Sequence, residues 1–157
     1  MEPVWFDENG DIREVEMTVN GQEKEVKSTR KIEASRACRL HGNVYISSDR
    51  RNGYYQEYLT DIRNGDWAEY QYLTFHGEEK FCMETMGDFS EAVIEICIDS
   101  PDGEVIGKII KKEHTNASRE GNRYTCPVKK LYGKYAVYLK FKERADSLFS
   151  LAGFWFE

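Results

Sequence analysis

Two segments of the chain alternate between apolar and other side chains with a period of two. In residues 92–99 this alternation places Ile94, Ile96 and Ile98 on one face. In residues 135–141 it brings together a second set, namely Tyr135, Val137, Leu139 and Phe141. A period of two is typical of a β-strand with one face buried. The pattern therefore predicts two strands that pack against a core.

Turn signals separate further short strands. Pro101-Asp102-Gly103 stands between 92–99 and the apolar run 104–110, which predicts a hairpin. Residues 67–73 and 154–156 supply two more predicted strands, and helical periodicity is weak throughout. Many short strands joined by turns indicate an all-β fold, a two-sheet β-sandwich.

The first 28 residues differ from the rest. They contain two turn signals, in 7–11 and at Asn20-Gly21, with a short predicted strand over 12–17 between them. The charged stretch 22–27 is typical of a linker. We therefore predict a leader over 1–28, a boundary near Ser28 and one sandwich domain over 29–157.

The charge of the chain excludes several classes of partner. Its formal net charge is −6, whereas phosphate binding requires basic clusters. The basic run of Lys108, Lys111 and Lys112 is short and typical of a solvated strand end. No apolar stretch approaches the roughly 20 residues of a membrane span. We expect neither a nucleic-acid nor a membrane partner.

The four cysteines, Cys38, Cys82, Cys97 and Cys126, are widely spaced and form no C-x-x-C pair. This spacing argues against a zinc site. Two disulfides are compatible with four cysteines, and the sequence does not choose among their three pairings.

Catalytic signatures are missing from the sequence. The chain has 28 acidic residues, but no pair stands out as the two carboxylates of a glycosidase. Asp66 and Glu69, which flank Trp67, are explained by a turn and a strand. The three histidines fit no metal or catalytic frame, and no nucleophile elbow or P-loop occurs. We therefore expect a non-catalytic protein.

Aromatic residues are the remaining candidates for function, at 13% of the chain. Tyrosine and tryptophan offer rigid apolar platforms on which the C–H faces of sugar rings can stack. The alternative is that the same rings fill the core. The candidate sugar-binding residues are Tyr54, Tyr55, Tyr58, Tyr70, Gln71 and Tyr72. Tyr54, Tyr55 and Tyr58 follow a turn, and Tyr70 and Tyr72 are predicted to share one strand face.

Six segments of the chain resemble family 6 carbohydrate-binding modules, in the order of that family. They are 32–34 (Ile-Glu-Ala), 62–70 (Ile-Arg-Asn-Gly-Asp-Trp-Ala-Glu-Tyr), 102–107, 126–128, 133–141 and 148–151. The leader 3–15 is similar to the segment that ends family 43 glycoside hydrolase catalytic domains. The resemblance implies an all-β, two-sheet jelly-roll β-sandwich that is galactose-binding-domain-like, and a polysaccharide partner of the xylan or arabinoxylan type. It also implies a catalytic glycoside hydrolase domain in the same polypeptide, and a secreted or cell-surface location if that enzyme carries a signal.

The chain departs from the family at its usual ligand sites. Ser118 and Ser150 stand where the family's loop cleft carries a clamping tryptophan and an asparagine. The family's structural calcium is held by two glutamates and an aspartate, of which only Glu33 remains, because Ser35 and Ala152 replace the others. Calcium prefers six to eight oxygen ligands, so we expect no cofactor and no tightly bound calcium.

Two functions follow from these departures. The first is glycan binding on the concave face of a sheet, with residues such as Glu69 or Gln71 beside an aromatic row. The second is a degenerate module that serves as a structural partner of the catalytic domain and does not bind sugar.

Overall fold

The computed structural model describes residues 4–21, 23–51, 53–87, 92–110, 122–142 and 149–157. Within them the chain forms eleven β-strands. These are β1 (Ile32–Glu33), β2 (Arg39–His41), β3 (Tyr45–Arg51), β4 (Tyr54–Thr60), β5 (Trp67–His76), β6 (Lys80–Gly87), β7 (Val93–Ile98), β8 (Val105–Ile110), β9 (Asn122–Pro127), β10 (Tyr132–Lys142) and β11 (Phe149–Phe156). A single-turn 3-10 helix, Ala34–Arg36, is the only helix in these ranges and is far too short to cross a membrane.

The strands form two antiparallel sheets. One sheet has the order β3-β4-β11-β6-β9, and β1 pairs with β11 beside this path. The other sheet has the order β2-β5-β10-β7-β8. Strands β7 and β8 form the hairpin predicted around Pro101-Asp102-Gly103. The all-β sandwich predicted from the sequence is confirmed.

The core lies between the two sheets and contains the alternating apolar residues. Ile94, Ile96 and Ile98 are buried, and so are Val137, Leu139 and Phe141 from the neighbouring strand. The facing sheet contributes a cluster of rings: Phe81, Phe154 and Phe156, which meet Tyr70 and Phe75. Each large apolar side chain buried in this way contributes about 1.5–3 kcal/mol to stability.

A register shift in β5 changes the face on which its tyrosines lie. Pairing of β10 with β5 is irregular between Tyr135 and Val137, opposite residues 70–73. Tyr70 and Leu73 therefore both point into the core and are fully buried, although they are three residues apart. Tyr72 lies on the opposite side of the sheet, in a separate cluster with Tyr138. The prediction that Tyr70 and Tyr72 share a face is wrong, because the bulge inserts one residue into the alternation.

The second half of the leader is part of the sandwich. Val19 and Val26 are each 1% exposed and belong to the main core. The Thr74 N–H donates to the Val26 carbonyl (2.9 Å), and the Ser28 N–H donates to the Thr74 carbonyl (2.9 Å). The stretch expected to be a charged linker therefore pairs with β5 at the same edge of the five-stranded sheet as β2, further along the strand.

The four cysteines all lie in the described ranges, and none of them forms a disulfide there. Cys82, Cys97 and Cys126 are buried, and Cys38 is half-buried. Burial raises the pKa of the Cys126 thiol to about 11. A buried thiol with a raised pKa behaves as a small apolar side chain and not as a nucleophile.

Candidate functional site

The side of the five-stranded sheet that faces away from the core, called the outer face below, carries two rows of side chains that cross all five strands. Cross-strand pairing aligns the first row as His41, Trp67, Lys140, Glu95 and Lys108. It aligns the second row as Arg39, Glu69, Tyr138, Cys97 and Val105. These positions alternate along each strand with residues of the core.

Trp67 is the centre of the aromatic part of the outer face. It is half-buried, and the ring of His41 stacks on it at 5.2 Å with an interplanar angle of 8°. The ring of Tyr138 meets it edge-on at 5.5 Å. The Asp66 carboxylate fixes the turn before Trp67, since it accepts from the N–H groups of Val44 and Arg63, each at 3.0 Å. A rigid turn of this kind holds the indole in one orientation.

Glu69 holds the side chains of Tyr138 and Arg39 beside Trp67. It is 2% exposed and accepts hydrogen bonds from the Tyr138 hydroxyl (2.5 Å) and from Arg39 Nε. Burial raises the pKa of Tyr138, and the bond to Glu69 raises it further. The Arg39 guanidinium lies 5.9 Å from the Trp67 ring and its side chain is 65% exposed. The arrangement places fixed hydrogen-bond donors beside an apolar platform.

Tyr72 and Gln71 contact the leader. The Tyr72 hydroxyl donates to Glu16 Oε1 (2.6 Å), and this bond together with burial raises the pKa of Tyr72 to about 12. The Gln71 amide donates to the Met17 carbonyl at 2.7 Å. Lys134 Nζ lies 4.8 Å from the centre of the Tyr72 ring. Both predicted residues therefore lie at the edge of the outer face, where their polar groups hold the leader.

The three tyrosines after the turn lie elsewhere, on the hairpin of β3 and β4. Tyr54 is 80% exposed and Tyr55 is 74% exposed, whereas Tyr58 is half-buried. Tyr45 on the opposite strand is also exposed. This hairpin belongs to the other sheet, so the structure divides the predicted tyrosines between two separate surfaces.

Tyr70 is a core residue. It is fully buried, its ring meets Phe154 edge-on at 4.7 Å, and its hydroxyl donates to the Ala34 carbonyl at 2.8 Å. Burial also raises the pKa of Tyr70. The prediction that Tyr70 contacts sugar is wrong, because the side chain has no accessible surface.

Glu33 and Ala152 lie together, as the resemblance implies. Both line a cavity of about 250 Å³ with Lys31, Tyr55, Gln56 and Glu57. In the described ranges no group of three or more His, Cys, Asp or Glu side chains is placed to hold a metal ion. The ammonium of Lys31, which pairs with Glu84, adds a positive charge at this cavity. These residues do not fit a calcium ion.

The loop cleft of the resemblance is described only in part. Ser118 lies outside the described residues, as do Lys111 and Lys112 of the basic run. Ser150 is half-buried, and its hydroxyl donates to Thr60 Oγ1 at 3.0 Å. The Ser150 side chain therefore links β11 to β4.

Sequence reasoning missed the residues at the centre of the outer face, which are His41, Trp67 and Tyr138, with Arg39. One signal was available for Tyr138: it alternates with Val137 and Leu139, which the pattern assigned to the core. The same alternation places Trp67 and Glu69 on one face of β5 and Ala68 and Tyr70 on the other. The cross-strand register that joins these residues was not readable from the sequence.

The geometry is that of a binding domain, because the outer face offers an aromatic platform and fixed polar groups on a rigid β-sandwich. A family comparison matches residues 33–157 to the carbohydrate binding module (family 6). The chain belongs to this family of non-catalytic carbohydrate-binding modules. A comparison with curated protein sequences gives no match.

Solved structures agree with this assignment. A family 6 module from Clostridium cellulolyticum, solved in complex with xylose, is 27% identical with a TM-score of 0.69, and the match covers 83% of this chain and 98% of that one. A β-1,3-glucan-binding family 6 module from Bacillus halodurans is 23% identical with a TM-score of 0.72, covering 85% of this chain and 99% of that one.

A longer protein also matches, over nearly the whole of this chain. It is a glycoside hydrolase family 43 arabinoxylan arabinofuranohydrolase from Bacillus subtilis, solved with cellotetraose, at 20% identity and a TM-score of 0.72. The match covers 99% of this chain and 33% of that one. The fold likeness therefore includes the leader, and this chain spans about a third of the longer protein.

Proposed function

We propose that the outer face binds a β-glycan of the xylan or arabinoxylan type, with Trp67 as the stacking platform. The observation that carries this proposal is the first row, in which an indole supported by His41 stands beside charged side chains in one line across the sheet. A sugar ring stacks on an indole face, and its hydroxyls accept from Arg39 at the rim.

The xylan assignment is supported by the related module solved with xylose and by the arabinoxylan enzyme that shares the fold. The loop cleft is a poor alternative, because Ser118 and Ser150 stand in place of the tryptophan and asparagine that the resemblance implies. A polysaccharide partner further supports a secreted or cell-surface location for the protein.

Affinity electrophoresis of the full chain through gels with arabinoxylan, xylan or mixed-linkage β-glucan tests this function. We expect retardation by the xylans, and we expect Trp67→Ala to reduce affinity about fivefold to tenfold, since the sugar ring loses roughly 1 kcal/mol or more of stacking. Tyr54→Ala and Tyr55→Ala are the matched controls, because both rings are exposed but lie on the other sheet.

The outcomes distinguish the outer face from the β3–β4 hairpin. Loss of retardation in Tyr54→Ala or Tyr55→Ala, with Trp67→Ala unchanged, would move the site to the β3–β4 hairpin. Tyr70→Phe should bind as the native chain does, because its hydroxyl is buried. No retardation in any gel would contradict the proposal and leave the second candidate function.

The second candidate function is a structural partner of a family 43 catalytic domain in the same polypeptide. The leader exposes a group of large apolar side chains: Val4, Trp5, Phe6, Ile12 and Met17. A bridge between Phe6 and Ile12 and the hydrogen bonds of Asp7 hold this segment in a defined turn. An ordered apolar surface beside a domain boundary is typical of an interface with another domain.

A chimera tests the structural function. This chain replaces the matching third of the Bacillus subtilis arabinofuranohydrolase, once with its native leader and once with Trp5→Ser, Phe6→Ser and Ile12→Ser. We expect the native leader to give one shared thermal transition and the triple variant to give two. Identical transitions in both chimeras would argue against docking through the leader.

A further inference from the structure

In the same row as Trp67 but two strands away, the outer face holds a buried carboxylate between two lysines. Glu95 is 5% exposed, and its Oε1 and Oε2 accept from the ammonium groups of Lys108 (2.7 Å) and Lys142 (2.8 Å). Burial raises the pKa of the Glu95 carboxyl, but the bonds from Lys108 and Lys142 outweigh burial and hold the pKa below its ordinary value. Glu95 is therefore ionised at neutral pH.

The three residues together carry one net positive charge. An ammonium has three N–H donors, and each lysine uses one of them on Glu95. The side chains of Lys108 and Lys142 are 51% and 49% exposed, so their other donors face solvent. Because Glu95 is buried between them, it holds both ammonium groups in place. In a chain of net charge −6, these three residues form a local patch of positive charge.

Lys140 does not compete for the same ligand. Its ammonium donates to Asp102 Oδ1 (2.6 Å) and to the Pro101 carbonyl (3.2 Å), and its side chain is only 23% exposed. The charge of Lys140 is thus neutralised within the protein. The net positive charge near the row therefore comes from Lys108 and Lys142, which surround Glu95 on the strand next to that of Lys140.

The register gives the separation between the anion site and the aromatic platform. Trp67 pairs with Lys140, and Lys140 pairs with Glu95, so the two residues stand two strands apart. Neighbouring strands are about 4.8 Å apart, which places Glu95 roughly 10 Å from Trp67 along the row. A glycan lying across the strands with one ring on Trp67 would bring a nearby substituent over the two lysines.

We propose that the outer face recognises a glycan that carries carboxylates, with a uronic acid group held by Lys108 and Lys142 while a neutral ring stacks on Trp67. This inference rests on the proposed function, and it specifies the substrate class as acidic hemicellulose. If Glu95, Lys108 and Lys142 formed only a solvated ion pair, the protein would bind charged and neutral glycans equally well.

Calorimetric titration of the full chain with glucuronoxylan oligosaccharides, and with the same oligosaccharides after reduction of their carboxyl groups, tests the proposal. We expect the acidic form to bind about threefold to fivefold more tightly, the range of an exposed ion pair. The difference should be present at about 0.01 M salt and vanish at about 1 M, where charges are screened beyond roughly 3 Å.

Paired variants locate the effect. Lys108→Gln with Lys142→Gln keeps hydrogen-bond donors for Glu95 and should abolish the preference while the reduced oligosaccharide binds as before. The matched control is Lys129→Gln with Lys130→Gln, which removes the same charge from two exposed lysines paired with Glu104 and Glu79. This control should keep the preference.

Each result has a distinct meaning. Equal affinity for acidic and reduced oligosaccharides, with Trp67→Ala still weakening both, would overturn the anion site and leave the proposed function standing. Absence of binding to either form would contradict the proposed function itself. Equal binding of dextran sulfate and glucuronoxylan would also overturn the inference, because it would show unspecific charge attraction.

Discussion

At the scale of single residues, the buried side chain of Asp66 fixes the backbone that leads to Trp67. Asp66 is 3% exposed, and its Oδ2 accepts from the N–H groups of Val44 and Arg63. A Cβ atom at Gly42, which has φ +95°, would stand 1.8 Å from Asp66 Oδ1. Two chain segments therefore close around this carboxylate, directly before Trp67.

Asp66→Ala should lower the free energy of unfolding by about 3 kcal/mol, because the buried Val44 N–H and the partly buried Arg63 N–H lose their side-chain acceptor. Asp66→Asn retains one acceptor oxygen and should cost about half as much. Urea denaturation measures both, and Glu79→Ala, at an exposed ion pair, should change stability by less than about 0.5 kcal/mol. Equal effects of Asp66→Ala and Glu79→Ala would contradict the role of Asp66.

The Glu95 carboxyl makes stability depend on pH. Since its pKa in the folded chain is below the ordinary value of 4.5, its contribution is fully present above about pH 4.5. The contribution is lost as pH falls through the folded pKa. Glu95→Gln should therefore reduce stability by about 1 kcal/mol at neutral pH and by progressively less below pH 4.5. Denaturation curves from pH 7 to 3 check this, and a constant difference between the proteins would contradict it.

At the scale of elements, the sequence predicted the strands better than their faces. The period of two in 92–99 and 135–141 was sufficient to identify β7, β10 and their core residues, because burial on one side imposes it. The bulge opposite Tyr135 leaves no comparable pattern, so Tyr70 and Tyr72 were wrongly predicted to share one face. The site depends on register between strands such as β5 and β10, and no local pattern encodes that pairing.

The leader behaves as an element of the sandwich in its second half. Deletion of residues 1–28 removes Val19 and Val26 from the core and should cost about 3 kcal/mol or more, at roughly 1.5–3 kcal/mol for each buried valine. Deletion of 1–14 leaves both valines and should cost less than about 1 kcal/mol. Urea denaturation of the two truncated chains distinguishes a boundary inside the leader from the predicted boundary near Ser28. If the boundary lies near Ser28, neither deletion should lower the free energy of unfolding.

At the scale of the whole molecule, the two sheets carry different surfaces. The five-stranded sheet presents the aromatic and charged outer face, and the leader borders it through Glu16 and Met17. The six-stranded sheet presents the tyrosines of the β3–β4 hairpin and the cavity of Glu33. Because the leader and the outer face meet at Tyr72 and Gln71, a domain docked on the leader would lie beside the proposed glycan site.

The cavity of Glu33 predicts how the whole fold responds to calcium. With Ala152 and Ser35 in place of acidic ligands and Lys31 nearby, the chain should be indifferent to the ion. Excess EDTA should therefore leave the melting temperature unchanged within about 1 °C, since only a ligand that binds the folded state shifts it. A marked decrease in EDTA would show a calcium site in this protein and contradict the prediction.

Restoring the acidic ligands gives the matched test. Ser35→Glu with Ala152→Asp adds two carboxylates to Glu33, and Ala152 lines a cavity of about 250 Å³ with room for an ion. Calcium should then raise the melting temperature of this variant. At a calcium concentration of one hundred times the dissociation constant, binding adds about 2.7 kcal/mol to the free energy of unfolding. Magnesium should do so less, because it requires a tighter octahedral shell. A variant that remains indifferent to calcium would contradict this prediction and would show that the lost carboxylates are not the reason for the indifference of the native chain.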